Sequence, residues 1–193
     1  MSSVPKSKLT SEEYLSIERR AEYKSEFFKG EMFAMVGASR KHNLINTNVT
    51  RELSRQLKDS SCEAYAGDMR VKVDATGLYT YPDVVVVCEE PQFEDKELDT
   101  LLNPTVLIEV LSQSTEAYDR GRKSAHYRNL YSLSDYLLIS QEKPHIEHYT
   151  RQADNQWLLS ETTDAEGVIP IASIDCKLQM SEVYDKVSFE EES

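Results

Sequence analysis

The sequence predicts a mixed α/β fold built on one central β-sheet, and three observations carry that reading. Val84-Val85-Val86-Val87 and Val106-Leu107-Ile108-Glu109-Val110-Leu111 are short, nearly continuous apolar runs, the pattern of strands buried on both faces. After Ser39, the residues Ile45, Val49, Leu53 and Leu57 recur at helical spacing. Helical and strand-like stretches then follow one another with no internal repeat, no Gly/Ser linker and no break in composition. That order reads as one domain across residues 1–193, with residues 1–8 and 188–193 as flexible tails.

Each element has a local reason. Thr10-Ser11-Glu12-Glu13 opens a short helix running to about Arg20, with Thr10 as N-cap and Glu13 closing a capping box. Glu26 to Met35 reads as a hairpin turning near Gly30. Ser39 caps the long helix, whose apolar stripe faces inward and whose basic residues face mostly outward. Strand-like stretches follow at Glu63–Val73, Val84–Cys88 and Val106–Leu111, with the acidic segment Glu89–Asp99 as a surface loop containing a helical turn. A polar helix is expected over about Tyr118–Tyr131. Strands are expected at Tyr136–Ser140, Ile146–Arg151 and Trp157–Thr162, then a closing helix at Ser181–Val187.

Composition narrows the class. The chain has 193 residues, 39% hydrophobic and 29% charged, as soluble globular proteins do. It holds no apolar run of the roughly 20 residues that cross a bilayer, and its first residues lack a secretory-signal stretch. Cys62, Cys88 and Cys176 have no metal-ligand spacing and read as buried reduced thiols, which points to the cytoplasm. The net charge of −12 is unevenly spread. Acids concentrate in Glu89–Asp99 and Glu190–Glu192, whereas Arg40, Lys41, Arg51, Arg55 and Lys58 face Glu52 alone, and Arg120, Arg122, Lys123 and Arg128 form a second basic cluster. Binding of a polyanion along one face therefore survives, although such clusters are often only solvated helix faces.

The chemistry lies in the two interrupted runs. Glu109 breaks one, and Asp83 stands at the head of the other behind Pro82, which cannot donate to a ladder and suits a strand's first position. A buried unpaired carboxylate costs several kcal/mol, relieved by a proton, a partner or a metal ion. The spacing of the two acids is that of adjacent strands joined by a loop, so both can converge on one sheet edge. Oxygen-only ligation of this kind suits Mg²⁺ or Mn²⁺, which keep waters and accept phosphate oxygens. Lys123 lies on the helix after the Glu109 strand, with Tyr127 on the same helical face.

Pro82-Asp83, Val106-Leu107-Ile108-Glu109-Val110-Leu111-Ser112 and Asp119-Arg120-Gly121-Arg122-Lys123-Ser124-Ala125-His126-Tyr127 resemble the Uma-type "putative restriction endonuclease" family, within the PD-(D/E)XK nuclease superfamily. The resemblance runs from about Leu9 to Val187 and includes the Gly30-Glu31 hairpin, Lys41-His42-Asn43 and Gly67-Asp68-Met69-Arg70-Val71. It implies a restriction-endonuclease-like fold, a central mixed sheet flanked by helices, and Mg²⁺-dependent phosphodiester hydrolysis of DNA. Carried over, Asp83 and Glu109 become metal carboxylates, Lys123 the catalytic lysine, Glu31 an accessory acid and His42 an auxiliary site residue. The superfamily signature places a lysine two residues after the acid. Here Leu111 stands there, so Lys123 must act from the helix. Gln113 also stands where family members often carry proline.

DNA is then expected along Arg40, Arg51, Arg55 and Arg120, with Tyr127 beside them. Members of the superfamily often work as homodimers, and nothing in the sequence decides this. Plainer readings stand beside each residue: Glu109 paired with an arginine such as Arg70, Asp83 capping a turn, Lys123 and His42 at the helix surface, Glu31 flanking a turn. Asp68 reads most simply as a cross-strand partner of Arg70 or Lys72, and His145 and His148 point to opposite strand faces and make a poor metal pair. Two rival functions remain: a catalytically silent nuclease fold serving as a binding or assembly module, and a hydrolase of phosphoesters other than nucleic acid.

Overall fold

The computed structural model describes residues 8–189, so most of both expected tails lies outside the described residues. Thr10 caps α1 (Ser11–Glu18) through the expected reciprocal capping box. Strands β1 (Ser25–Phe28) and β2 (Glu31–Ala34) form the hairpin, turned by Lys29 and Gly30, both at positive φ. Gly30 is also packed tightly: a Cβ there would lie 2.4 Å from the Lys8 Cβ. Ser39 then caps α2 (Arg40–Gln56) by accepting from the His42 N–H.

The expected strand over Glu63–Val73 is instead two, β3 (Glu63–Ala66) and β4 (Arg70–Val73), in different sheets. Gly67, at φ +51°, makes the break, and its N–H donates to the Asp83 carbonyl. Next come β5 (Leu78–Thr80), β6 (Val84–Val87), β7 (Thr100–Leu101) and β8 (Val106–Leu111). The acidic segment before β7 contains turns but no helix, because Asp95 and Asp99 are held by Arg19, and Asp99 also by Arg70. The polar helix is likewise in pieces: α3 (Glu116–Tyr118), a π-helical segment (Asp119–Lys123) and α4 (Ser124–Tyr127). The chain ends with β9 (Asp135–Ser140), β10 (Ile146–Arg151), β11 (Trp157–Thr162), β12 (Val168–Ile171), β13 (Cys176–Gln179) and α5 (Met180–Val183). The β12–β13 hairpin was not anticipated, and α5 is shorter than the expected Ser181–Val187 helix.

A six-stranded mixed sheet in the order β11-β10-β9-β8-β6-β3 forms the centre, with β8 and β9 parallel and their neighbours antiparallel. A second, five-stranded sheet, β2-β1-β5-β4-β7, accompanies it where the sequence suggested only one. Alternation along β6 and β8 splits the core. Val84, Val86, Val106, Ile108 and Val110 pack against Ile45, Val49 and Leu53 of α2, with β12, β13 and α5 on the same side. Val85, Val87, Leu107 and Leu111 pack with Tyr127, Tyr136 and residues of the second sheet. Glu109 alternates with Ile108 and Val110, so it falls on this second face, under the segment that crosses over from β8 to β9. Among the described residues no helix is long and apolar enough to cross a membrane.

The expectation of three reduced thiols is corrected. Cys62 and Cys88 are joined by a disulfide, and Cys176 alone is a free buried thiol. The register explains the pairing: Glu63 faces Val87 in the β3–β6 ladder, so the next residues outward oppose each other. The cytoplasmic expectation loses the support it drew from reduced cysteines. Because the bridge closes a loop of sequence separation 26, Cys62→Ser should lower unfolding free energy by about 3 kcal/mol, measured by urea denaturation. Dithiothreitol should reproduce that loss in the unmodified chain and leave the variant unchanged.

Candidate active site

The β6–β8 register sets Val84 against Ile108 and Val85 against Leu107, which brings Asp83 opposite Glu109 at the end of the ladder. Asp83 is fixed from three directions. Its Oδ1 lies 2.8 Å from His42 Nε2, its Oδ2 accepts from the Val110 N–H at 2.7 Å, and its carbonyl accepts from Gly67. The N-terminus of α2 thus reaches round the sheet edge to hold the acid. The Ser39 hydroxyl caps that terminus and also donates to the Gln141 side chain just beyond β9.

Glu109 is buried, 4% exposed. The Tyr127 hydroxyl donates to its Oε1 at 2.7 Å, and Lys123 Nζ lies 2.9 Å from the same oxygen. Both contacts end on Oε1, which leaves Oε2 as the oxygen available to a cation. Lys123, equally buried, also meets Glu26 at 3.2 Å and Asp119 at 3.5 Å. One ammonium therefore stands among three carboxylates, with Asp83 as a fourth nearby. Burial pushes the Glu109 carboxyl up to about 8, with Lys123 opposing and Asp119 and Asp83 adding to the rise. Burial raises Asp119 as well. For Lys123, burial alone would favour the neutral amine, but Glu109, Tyr127, Glu26 and Asp119 together hold it charged, well above its usual value. The π-helical widening at Asp119–Lys123 brings the ends of this segment onto one another, a distortion that recurs at functional sites.

The structure thus gathers Asp83, Glu109, Lys123 and His42. Glu31 is exposed on β2, opposite Phe28, and the acid from this hairpin that contacts Lys123 is Glu26, with Asp119 from the crossover. Alternation along β1 does not mark Glu26 as the inward acid, because Phe27 is buried on the opposite face. Asp119, four residues before Lys123 on a helical segment, carries the clearer sequence signal. Arg70 binds Asp99, Tyr81 and Thr100 rather than Glu109, and the exposed Asp68 pairs with Lys24.

The expected DNA contacts divide. Arg40 is exposed and, among the described residues, makes no ion pair. Arg51 is tied to Glu52, Glu182 and Asp185, Arg55 to Glu52, and Arg120 to Glu116 and Glu147. Tyr127 is fully buried beneath Glu109, so its expected place at a DNA surface is corrected: its hydroxyl orients the carboxylate. His148 is bonded to Asp135, while His145 groups with Glu147 and Glu161, their ligand atoms within 4.8 Å of one another. Glu147 there already carries Arg120 and the Tyr149 hydroxyl.

The donor set at Asp83 and Glu109 fits a small hard divalent ion: two carboxylates from adjacent strands, one with an uncommitted oxygen, inside a cluster whose acids outnumber its one lysine. Its electrostatics give a stability prediction. The folded Glu109 holds its proton to about 8, above the ordinary carboxylate value of 4.5, so metal-free stability falls as pH rises between them. Glu109→Gln, an uncharged isostere, should raise the melting temperature of the metal-free protein at pH 8 by about 2–4 °C for each kcal/mol relieved, the gain fading toward pH 5. Thermal melts across that range check it. His42→Ala should weaken divalent-cation affinity by about 10- to 100-fold, measured by calorimetric titration with Mn²⁺.

Comparison with known proteins identifies the family and the fold. The Uma2 family, described as "Putative restriction endonuclease", matches residues 11–181. Two Synechocystis proteins, both described as uncharacterized, are related in sequence. One, sll1609, is 41% identical over 153 residues, 79% of this chain and 86% of its own. The other, slr1290, is 35% identical over 187 residues, 97% of each chain. A crystal structure from Anabaena variabilis, described as a "putative nuclease belonging to DUF820", superposes with a TM-score of 0.72 at 16% identity, covering 90% of this chain and 96% of that one. At that identity the likeness establishes the fold, which is restriction-endonuclease-like. With the family match spanning nearly the whole chain, the protein belongs to the Uma2 family.

Proposed function

We propose that this chain is a divalent-metal-dependent endonuclease that hydrolyses phosphodiester bonds of DNA with water as nucleophile. The observation that carries this reading is Asp83 facing Glu109 across the β6–β8 ladder with Lys123 2.9 Å from Glu109. Asp83 and Glu109 are the residues that would hold Mg²⁺ or Mn²⁺. When bound, the ion would polarise the scissile phosphate and lower the pKa of a coordinated water.

The chain's own groups do the rest. His42 and the Val110 N–H hold Asp83 in one orientation, so it need not be ordered when the cation arrives. Tyr127 and Lys123 both engage Glu109 Oε1, which leaves Oε2 for a cation. Lys123, held charged by its acidic neighbours, orients the attacking water or offsets charge developing on the phosphate oxygens. Glu26 and Asp119 keep its ammonium in place. Arg40, Arg122 and Arg128, exposed and without ion pairs among the described residues, are the cations free to meet a phosphate backbone.

A second reading, hydrolysis of phosphoesters other than nucleic acid, draws on one observation: Arg51, Arg55 and Arg120 are spent on ion pairs, so the basic face is smaller than composition implies. Salt dependence separates the two. A nuclease gripping several phosphates loses DNA affinity steeply between about 50 and 200 mM salt, whereas a small-ester hydrolase binds DNA weakly throughout.

The direct test incubates supercoiled plasmid with the protein and Mg²⁺ or Mn²⁺, beside Asp83→Ala/Glu109→Ala and Lys123→Ala. Nicking or linearisation by the unmodified chain, lost in the double variant and slowed about 100- to 1,000-fold in Lys123→Ala, is the expected result. Equal cleavage by all three would overturn the assignment. No cleavage, with no metal-induced thermal shift, would mark the chain as a silent binding module.

A further inference from the structure

The hairpin that supplies Glu26 also presents an exposed aromatic ring on the same face. Glu26 and Phe33 are direct partners in the β1–β2 ladder, as are Phe28 and Glu31. Opposed residues project to the same face, and alternation puts Phe28 and Glu31 on it too. On the other face Met32 packs into the cluster of Tyr14, Leu15, Phe27 and Tyr79. On the Glu26 face, Glu26 reaches inward to Lys123, and the Phe28 ring is met edge-on by His126 at 4.7 Å. Phe33, one strand further out, is 50% exposed. Val36, 78% exposed, follows it, and then come Arg40 and Lys41 at the start of α2, one residue before His42.

A single exposed apolar side chain needs no explanation. Phe33 differs in its position. It is the direct cross-strand partner of a residue in the lysine cluster, and the chain leaving it runs through an apolar side chain and two cations to a group that touches Asp83. An exposed aromatic face is a surface on which unpaired nucleobases stack, and stacking is indifferent to sequence because every base has a π-face. In duplex DNA the faces of bases are covered by their neighbours, so the ring has value only toward a base that has left the stack.

We propose that the site takes a DNA strand carrying an unpaired nucleotide, whose base stacks on Phe33 while its phosphate enters between Asp83, Glu109 and Lys123. This rests on the nuclease reading above and narrows its substrate class to single-stranded or locally opened DNA.

The test measures binding of a mixed-sequence single-stranded oligonucleotide and of the corresponding duplex, by fluorescence anisotropy in Ca²⁺, for the unmodified chain, Phe33→Ala and Phe33→Trp. A 2-aminopurine placed in the single strand reports stacking through its quenching. The expected result is a single-strand affinity about 10-fold weaker in Phe33→Ala with quenching lost, both restored in Phe33→Trp, and duplex affinity unchanged. Because Phe33 is exposed, the alanine variant should fold, which its melting temperature verifies. Unchanged single-strand affinity and quenching in Phe33→Ala overturn the proposal, as does an equal loss toward single strand and duplex. So does a dimer in sedimentation that Phe33→Ala dissolves without altering strand binding. Plasmid cleavage tells the two readings apart. If the unmodified chain cleaves and Phe33→Ala matches it on every substrate, stacking fails and the nuclease stands. If the unmodified chain neither cleaves DNA nor binds a strand, both fall.

Discussion

Lys123 is where three parts of the molecule meet. Its ammonium touches Glu109 from the central sheet, Asp119 from its own crossover segment and Glu26 from the hairpin of the second sheet. Burying a charge is costly, and burying several is tolerated only if each finds a partner in good geometry. Removing the lysine would leave three acids without their shared counter-charge, so the positions of sheet, crossover and hairpin depend on one another through this one ammonium. Such clusters are poor stabilisers compared with an apolar core, and their presence in the middle of a well-packed protein is itself an argument for chemistry there.

The surrounding framework stops the cluster from collapsing into a simpler arrangement. Glu26 also receives the Thr80 hydroxyl, which ties it to β5. Behind it, Glu18, Tyr81, Arg70, Asp99 and Arg19 form a chain of hydrogen bonds and ion pairs that ends at the acidic segment before β7. Those acids, which dominate the net charge, are thus partly structural: Asp95 and Asp99 fasten α1 and β4 to the segment rather than repelling a ligand at large. The charge sum alone was a poor guide because it counts such engaged acids like free ones.

Asp83 and Glu109 were legible because each is a charged residue on an apolar run, Lys123 from its place on the helix after the Glu109 strand and from the family resemblance, and the central strands from the continuity of their apolar runs. Glu26 was not separated from Glu31, since both are acids on a short hairpin and only the packing of the second sheet decides which is turned inward. The break at Gly67 was hidden for a related reason. Alternation continues plausibly from Glu63 to Val73, and the hydrogen bond from Gly67 to Asp83 that makes the chain change sheets exists only in three dimensions. The β12–β13 hairpin escaped because Pro170 interrupts a run too short to show a period. The Cys62–Cys88 bond needed the β3–β6 register, which spacing alone does not supply.

That bond has a meaning beyond its contribution to unfolding free energy. It pins the β3–β6 ladder at the end remote from Asp83, while the Gly67–Asp83 hydrogen bond closes the other end. A strand's side chains alternate, so sliding β3 by one position against β6 would trade every inward residue for an outward one. Valine repeated four times in β6 offers almost nothing to resist such a slide, because each position looks like the next. A covalent link between defined partners excludes the shifted pairings outright, and the proofreading of this alignment is what lets so featureless a strand deliver one particular aspartate to one particular place.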